Sequence, residues 1–457
     1  MYTSFIKASF LLAGLLLISG KPATAQLQSR QLDDYILLAF GQNQGLKQQN
    51  FDLERSMFAL KEAKTMYLPT VSMLGSYTKS AGGRTIDVPV GDLVNPIYSA
   101  LNQLTSSSKY PQISNQSFLL NPDNFYDLKL RTSLPLINAE IRYNKLIKQK
   151  LISSQQAAVN VYKRALVKDI KTAYYHYFQA LQGIEAYRSA AMLINENIRV
   201  NTSLLRNGVR NGTALLRAQT ELEKNNAALI NAQRNADNAR AYFNFLLNRT
   251  LTESINIDSV AVARLSAVPD TTTGSGNREE LQQLKILKEV NGLDYRLQRS
   301  NLIPKLSTFI DLGSQGTDFK VNDKTRYYLW GVNLQWDIFT GGKNKFRAAQ
   351  AQSNIRANAA RIDETEQSFK LQLAQAYNNY HSAKAACISA VSGLSFAGKY
   401  YKDQLRAYRA GQLLYLELID AQDQLTSAKL RMADVQADLQ ITLAELERNQ
   451  ATYPLNN

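Results

Sequence analysis

Residues 208–222, Gly-Val-Arg-Asn-Gly-Thr-Ala-Leu-Leu-Arg-Ala-Gln-Thr-Glu-Leu, and residues 411–425, Gly-Gln-Leu-Leu-Tyr-Leu-Glu-Leu-Ile-Asp-Ala-Gln-Asp-Gln-Leu, share one skeleton. In each, a glycine is followed by Ala-Gln and then Leu at the same spacing: Gly208, Ala218-Gln219 and Leu222 against Gly411, Ala421-Gln422 and Leu425. A long helix-like segment runs up to each glycine and another leaves it. The chain is therefore one helical hairpin unit written twice, and an internal duplication is read before any local motif.

The prolines draw the map around these two turns. All ten fall at 22, 69, 89, 96, 111, 122, 135, 269, 304 and 454, which leaves 136–268 and 305–453 free of them. Proline removes a helix donor and clashes with the preceding turn, so long proline-free blocks rich in Ala, Gln, Leu and Lys suit long helices. The block from Ala139 to Arg206 would be on the order of 100 Å long at about 1.5 Å per residue. Ile170, Tyr174, Tyr177, Leu181, Ile184, Tyr187, Ala191, Ile194 and Ile198 recur every three or four residues along it, a packing stripe on an otherwise polar helix. Hairpins are expected over 139–248 and 342–449, with alanine seams such as Ala348, Ala349 and Ala351 allowing close helix approach.

Between the helices lie four segments with period-two alternation, about 68–78, 125–135, 305–313 and 327–339. In the second, Leu128, Leu130 and Leu134 share one face; in the fourth, Tyr328, Trp330, Val332, Leu334, Trp336 and Ile338 alternate with Gly331, Asn333, Gln335 and Asp337. Strands of about ten residues with an apolar face and aromatic ends carry the signature of a transmembrane β-barrel. Tyr328, Trp330 and Trp336 are the candidate membrane-interface aromatics. Four strands do not close a barrel and an open edge is not tolerated in lipid, so the barrel would be shared between chains. Two chains give eight strands and a filled interior; three give twelve and an aqueous lumen. The competing reading is a soluble sheet that packs its apolar face on the helices.

The N-terminus reads as an export signal, residues 1–25: Lys7, the apolar run from Ala8 to Gly20, and Ala23-Thr24-Ala25 as the cleavage site. No later run approaches the roughly 20 apolar residues of a spanning helix. The first repeat is then 26–267, the inter-repeat linker 268–277 with Pro269 and Gly274-Ser275-Gly276, the second repeat 278–453 and the tail 454–457. Each repeat opens with a helix before its strands. The formal charge of +15 is spread along helices that also carry acids. It is read as solvated helix faces and contact with anionic lipid headgroups, with no role for nucleic acid in an exported chain. The one cysteine, Cys387, sits in a helical pattern as a small buried residue.

The ordered, duplicated set of short motifs resembles the TolC-like outer membrane efflux protein family over residues 30–453. The residues that carry the resemblance are Tyr67-Leu68-Pro69 and Leu302-Ile303-Pro304 before the first strand of each half, and Trp336-Asp337-Ile338-Phe339-Thr340-Gly341-Gly342 after the fourth. Tyr408-Arg409-Ala410-Gly411 with Leu418-Ile419-Asp420-Ala421-Gln422 completes it. The first repeat departs from the pattern after its second strand, where Leu136-Ile137-Asn138-Ala139-Glu140 stands.

The resemblance implies a mainly α protein with a membrane β-barrel part. In that form duplicated long α-hairpins build a trimeric α-barrel, and four β-strands per chain enter a shared twelve-stranded barrel. It implies a homotrimeric, non-enzymatic channel in the cell outer membrane with a long periplasmic extension. Its partners would be outer membrane lipid, a periplasmic adaptor, and an inner membrane transporter of the RND or ABC type. Small-molecule efflux is the favoured transport, with type I secretion beside it. A structural or adhesive surface protein with a helical stalk is the alternative.

Glu417 and Asp420 lie three apart on one helix face, and the resemblance places them at a lumen constriction as stacked anionic rings. Unaided by the resemblance, the residues read as a solvated helix face rather than as a ring. The family's polar tip locks use an arginine two residues after the second glycine and an aspartate six after the first; here those positions are Leu413 and Ala214. A tip gate of Tyr408, Leu413 and Leu414, held by apolar contacts, is the expectation. Gly208, Val209, Gly212, Gly411 and Gln412 form the expected adaptor-docking tip. No cofactor is expected. His176 and His381 are the only histidines and lie on separate helices, so no metal-ligand cluster can be named.

Overall fold

The structure of the protein is a computed structural model that describes residues 30–121, 123–209, 211–259, 262 and 278–455. The expected export signal, 1–25, and the expected linker, 268–277, lie outside the described residues. The chain is mostly helical and divides into two compact units. One comprises Met1–Gln48, Asn160–Arg278 and Glu366–Asn457, the other Gln49–Val159 and Glu279–Thr365.

The second unit holds the sheet. Strands β1 (Thr70–Thr78), β4 (Phe125–Ile137), β5 (Lys305–Thr317) and β6 (Arg326–Gln335) pair antiparallel in that order, which leaves β1 and β6 as open edges. β4 continues through Pro135, where the register to β5 shifts. A residue that cannot donate to the ladder is accommodated at such an irregularity, so the strand does not stop at the proline. β6 ends at Gln335, opposite Lys305, and not at position 339. Its partner begins directly after Pro304, which offers no N–H, so Trp336 to Phe339 have no ladder to join. Between β1 and β4 the chain forms a small substructure of its own: strands β2 (Thr85–Val88) and β3 (Gln116–Leu119) pair, with helix α3 (Val90–Leu104) between them. Reciprocal bonds tie α3 to the returning chain. Asn95 Nδ2 donates to the Ile113 carbonyl at 2.9 Å while its Oδ1 accepts the Ile113 N–H at 2.9 Å. Asn102 binds the Tyr110 backbone in the same way.

Helices α2 (Gln44–Thr65), α4 (Ala139–Arg206), α6 (Glu279–Ser300) and α7 (Lys343–Arg409) begin or end in this unit. The first unit is helical throughout: α1 (Arg30–Gln42), most of α4, α5 (Thr213–Leu246), the second part of α7, and α8 (Tyr415–Gln450). Its largest core gathers Ile36 of α1, Ile170, Tyr174 and Phe178 of α4, Phe243 of α5 and Ala437 of α8. Within it Asp258 donates its backbone N–H to the Tyr174 hydroxyl, so that buried phenol is not left unpaired. Asn43, between α1 and α2, caps α2 by accepting the Leu46 N–H and donates its amide to the Leu246 carbonyl.

After α8 the chain turns at Ala451 in the left-handed region and lays Tyr453 and Leu455 into the same core. Beneath Tyr453 lies an ion pair between Lys171 and Glu447, each about 5 % exposed, with the ammonium 4.9 Å from the Tyr453 ring centre. Removing one partner of a buried pair leaves a charge without compensation. Lys171→Ala is expected to cost about 3–5 kcal/mol of stability, while the paired change Lys171→Met with Glu447→Leu costs far less. Thermal unfolding of the two variants checks this.

Candidate functional site

The two hairpin turns end identically. Gly208 at φ 67° and Gly411 at φ 77° occupy the left-handed region, which costs glycine nothing. At the first turn the Gly208 and Val209 N–H groups donate to the carbonyls of Leu205 and Leu204; at the second, Gly411 and Gln412 donate to Tyr408 and Ala407. Both are Schellman motifs, satisfying carbonyls that the helix ends would otherwise orphan.

Four helices meet below these turns. Ala218 and Ala421, the paired alanines of the duplicated motif, are both fully buried, and a larger side chain at either would separate the helices. The glutamines beside them diverge. Gln422 is buried and accepts the Asn197 amide of α4 at 2.7 Å, whereas Gln219 is exposed. Tyr408 is buried completely and its hydroxyl donates to Asn201 Oδ1, while Asn201 Nδ2 donates to the Asn197 carbonyl at 2.9 Å. Its ring lies 5.6 Å from that of Tyr415. Tyr408 thus packs within its own chain. Leu413 packs partly into the same cluster with Ala214, and Leu414 is 66 % exposed.

An ion pair closes the outer side. Glu196 of α4 accepts Arg199 in a bidentate fork at 2.8 and 2.7 Å and Arg409, the last residue of α7, at 2.5 Å. The Arg199 hydrogen bonds, with the charges of Arg199 and Arg409, hold the Glu196 carboxyl down to about 2. Asn201, Asn197 and Glu196 are tip residues that sequence reasoning missed, as is the pairing of Arg409 with Glu196.

Glu417 and Asp420 are exposed on α8. The Glu417 carboxylate accepts the Leu414 N–H at 3.2 Å, closing the first turn of the helix, and Asp420 accepts Gln424 at 2.8 Å. Asp423 continues the same stripe, and desolvation, then the charges of Glu221 and Asp420, raises its carboxyl above the ordinary range. Gly208, Val209, Gly411 and Gln412 are exposed and Gly212 is half-buried. Leu216 and Leu416 add exposed apolar surface nearby. A shallow groove between α4 and α5 is lined by Ile198, Leu216, Gln219, Thr220, Leu222 and Glu223. Among the described residues, no group of His, Cys, Asp or Glu is arranged to hold a metal.

The sheet is the second site. Tyr328, Trp330, Val332 and Leu334 of β6 are paired with Leu312, Ile310, Thr308 and Leu306 of β5, and that face continues over Leu128 and Leu130 of β4 to Val71 and Met73 of β1. It is open to the outside, with Tyr328 80 % and Trp330 64 % exposed. Trp336 continues the row beyond the ladder and donates its indole N–H to the Leu302 carbonyl at 3.2 Å. The opposite face is polar and internally satisfied. Arg131 forks onto Asp311 at 2.7 and 2.6 Å and lies over the Phe309 ring, while Lys129 and the Tyr327 hydroxyl both bind Asp127. A soluble sheet has the reverse arrangement, apolar face covered and polar face wet.

Residues 275–449 match the outer membrane efflux protein family. Among curated proteins no sequence match is found. The fold is similar to that of the outer-membrane channel OprN at 17 % identity, covering 99 % of this chain and 98 % of that one with a TM-score of 0.73. It is similar to the outer membrane protein VceC of Vibrio cholerae at 13 % identity, covering 92 % and 96 % with a TM-score of 0.70. The open state of the MtrE outer membrane channel of Neisseria gonorrhoeae is similar at 16 % identity, covering 92 % and 88 % with a TM-score of 0.71. Residues 275–449 are thus similar to an outer membrane efflux protein domain, and the chain shares the fold of these channels.

Two outcomes follow for the tip. Tyr408→Phe leaves Asn201 with a buried acceptor unpaired and should lower stability by about 1–3 kcal/mol in thermal melts. Because the folded Glu196 value lies below its ordinary 4.5, its contribution is complete above about 4.5 and is lost as pH falls toward about 2. Glu196→Gln should flatten stability across that window, as acid titration followed by circular dichroism can measure.

Proposed function

We propose that the chain is the outer membrane channel of a tripartite export system, a passive exit duct for small molecules. Three copies close one twelve-stranded barrel, β1 of each pairing with β6 of the next, and their helical hairpins extend it into the periplasm as an α-barrel. The observation that carries the reading is the sheet, with its exposed apolar face, its paired polar face and its two open edges. In lipid each unpaired backbone group costs several kcal/mol, so such edges demand partners. Twelve strands leave room for an aqueous lumen lined by Lys129, Arg131 and Asp311. Cleavage of the export signal after Ala25 supplies the route to the outer membrane.

Energy comes from an inner membrane transporter of the RND or ABC type, reached through a periplasmic adaptor. Val209, Gly212 and Gln412, with Gly208 and Gly411 shaping the turns, form the docking tip, and Leu216 in the groove beside Gln219 adds an apolar hold. Leu413 and the exposed Leu414 act at the gate. Glu417 and Asp420 form anionic rings about the three-fold axis, with Asp423 beside them. The duct performs no chemistry of its own. A helical stalk that only adheres would leave the strands water-accessible and conduct nothing.

The purified chain in a planar bilayer should give stepwise conductance and cross-link as a trimer; a monomer without conductance contradicts the reading. Replacing Glu417→Gln and Asp420→Asn together should lower the preference for cations over anions severalfold. Unchanged selectivity would remove the ring assignment while leaving the duct intact.

A further inference from the structure

The two ends of the sheet differ in charge. The twelve-residue segments on the helix side of the four strands, 58–69, 138–149, 293–304 and 336–347, hold ten lysines and arginines against four acids. The connections at the other end, 79–124 and 318–325, hold five against five. Lipid-facing apolar surface therefore gives way to strong positive charge on one side only.

The change is sharpest after β6. Ile338 and Phe339 are 76 % and 88 % exposed, and within a few residues come Lys343, Lys345 and Arg347, all exposed, with Phe346 between them. Arg142, at the start of α4, is also exposed. Among the described residues none of these four cations has a carboxylate within ion-pair distance. Lys343 and Lys345 occupy the first turn of α7, which contains no acid. There the helix's own partial positive charge opposes them, so nothing within the chain accounts for their placement. An external anion at the boundary between apolar and aqueous surroundings would.

We propose that this rim is a binding collar for anionic phospholipids, lipids whose phosphodiester headgroup carries net negative charge, in the leaflet at the helix end of the sheet. Acyl chains lie over Ile338 and Phe339, and the phosphate meets Lys343, Lys345 and Arg347. Basic residues at a membrane surface attract anionic lipid at about 1 kcal/mol each, while the neutral far end has no such preference. The collar fixes the depth of the sheet in the bilayer, and with it the level at which the helices emerge. This inference rests on the proposal that the sheet is membrane-embedded.

The test uses the full chain in phosphatidylcholine vesicles that contain a trace of spin-labelled phosphatidylglycerol or spin-labelled phosphatidylcholine. The unaltered chain should prefer phosphatidylglycerol by at least about fivefold, the factor equivalent to the 1 kcal/mol of a single cation. The combined Lys343→Gln, Lys345→Gln and Arg347→Gln variant should approach equal association, and the charge-keeping Lys343→Arg, Lys345→Arg and Arg347→Lys variant should retain the preference. Equal association in the unaltered chain, or a preference unchanged by the glutamine variant, overturns the collar. Loss of the preference to inorganic phosphate, but not to chloride at equal ionic strength, assigns the site to free phosphate and overturns the lipid source. A chain whose Trp330 face is not reached by spin-labelled lipid of either kind contradicts the embedded sheet itself, a failure separable from that of the collar.

Discussion

The unpaired edges of the four-stranded sheet are the constraint on which the rest depends. β1 and β6 each present one side of backbone donors and acceptors, and the face between them is apolar and open. In water such a sheet would expose its largest aromatic side chains; in lipid its edges would be intolerable without a neighbour. The proposed assembly of several copies around a lumen would resolve both difficulties. The polar face is ready for it, since Arg131 with Asp311 and Lys129 with Asp127 satisfy one another before any second chain arrives.

Duplication then explains why the helical part is built as it is, and where it stops being symmetric. The two turns repeat down to the same pair of backbone hydrogen bonds, and Ala218 and Ala421 are equally buried. Around them the halves have diverged. The second hairpin contributes Tyr408, Tyr415 and Leu418 to the tip core and binds Asn197 through Gln422, while its counterpart Gln219 faces a groove. The two copies of one unit have thus diverged at the tip, where the second supplies the buried tyrosines.

What could be read from the sequence was what depends on local chemistry. The tip glycines announce a positive φ, the proline-free blocks announce helices, and the alternation around Trp330 announces a face. Three features were hidden for different physical reasons. The Tyr408–Asn201 and Glu196–Arg409 contacts join residues about two hundred positions apart, and no local pattern selects such a partner. α3 was concealed because its segment, with Pro89 before it and Pro96 inside it, has the composition of a loop; the asparagine bonds to Ile113 and Tyr110 hold it in place. β6 was read four residues too long because alternation persists in side chains after the ladder has lost its partner strand at Pro304. Glu417 and Asp420 carry a signal only through the family pattern, since an acid on an exposed helix face is common.

The central claim is that one face of the sheet meets lipid and the other water. Single cysteines introduced along β6 from Tyr327→Cys to Leu334→Cys, in a chain whose own buried thiol is removed by Cys387→Ala, test it most directly in vesicles. A lipid-confined quencher should reach positions 328, 330, 332 and 334, and a water-soluble thiol reagent positions 327, 329, 331 and 333. Water access to both rows, or no alternation between them, would contradict the account.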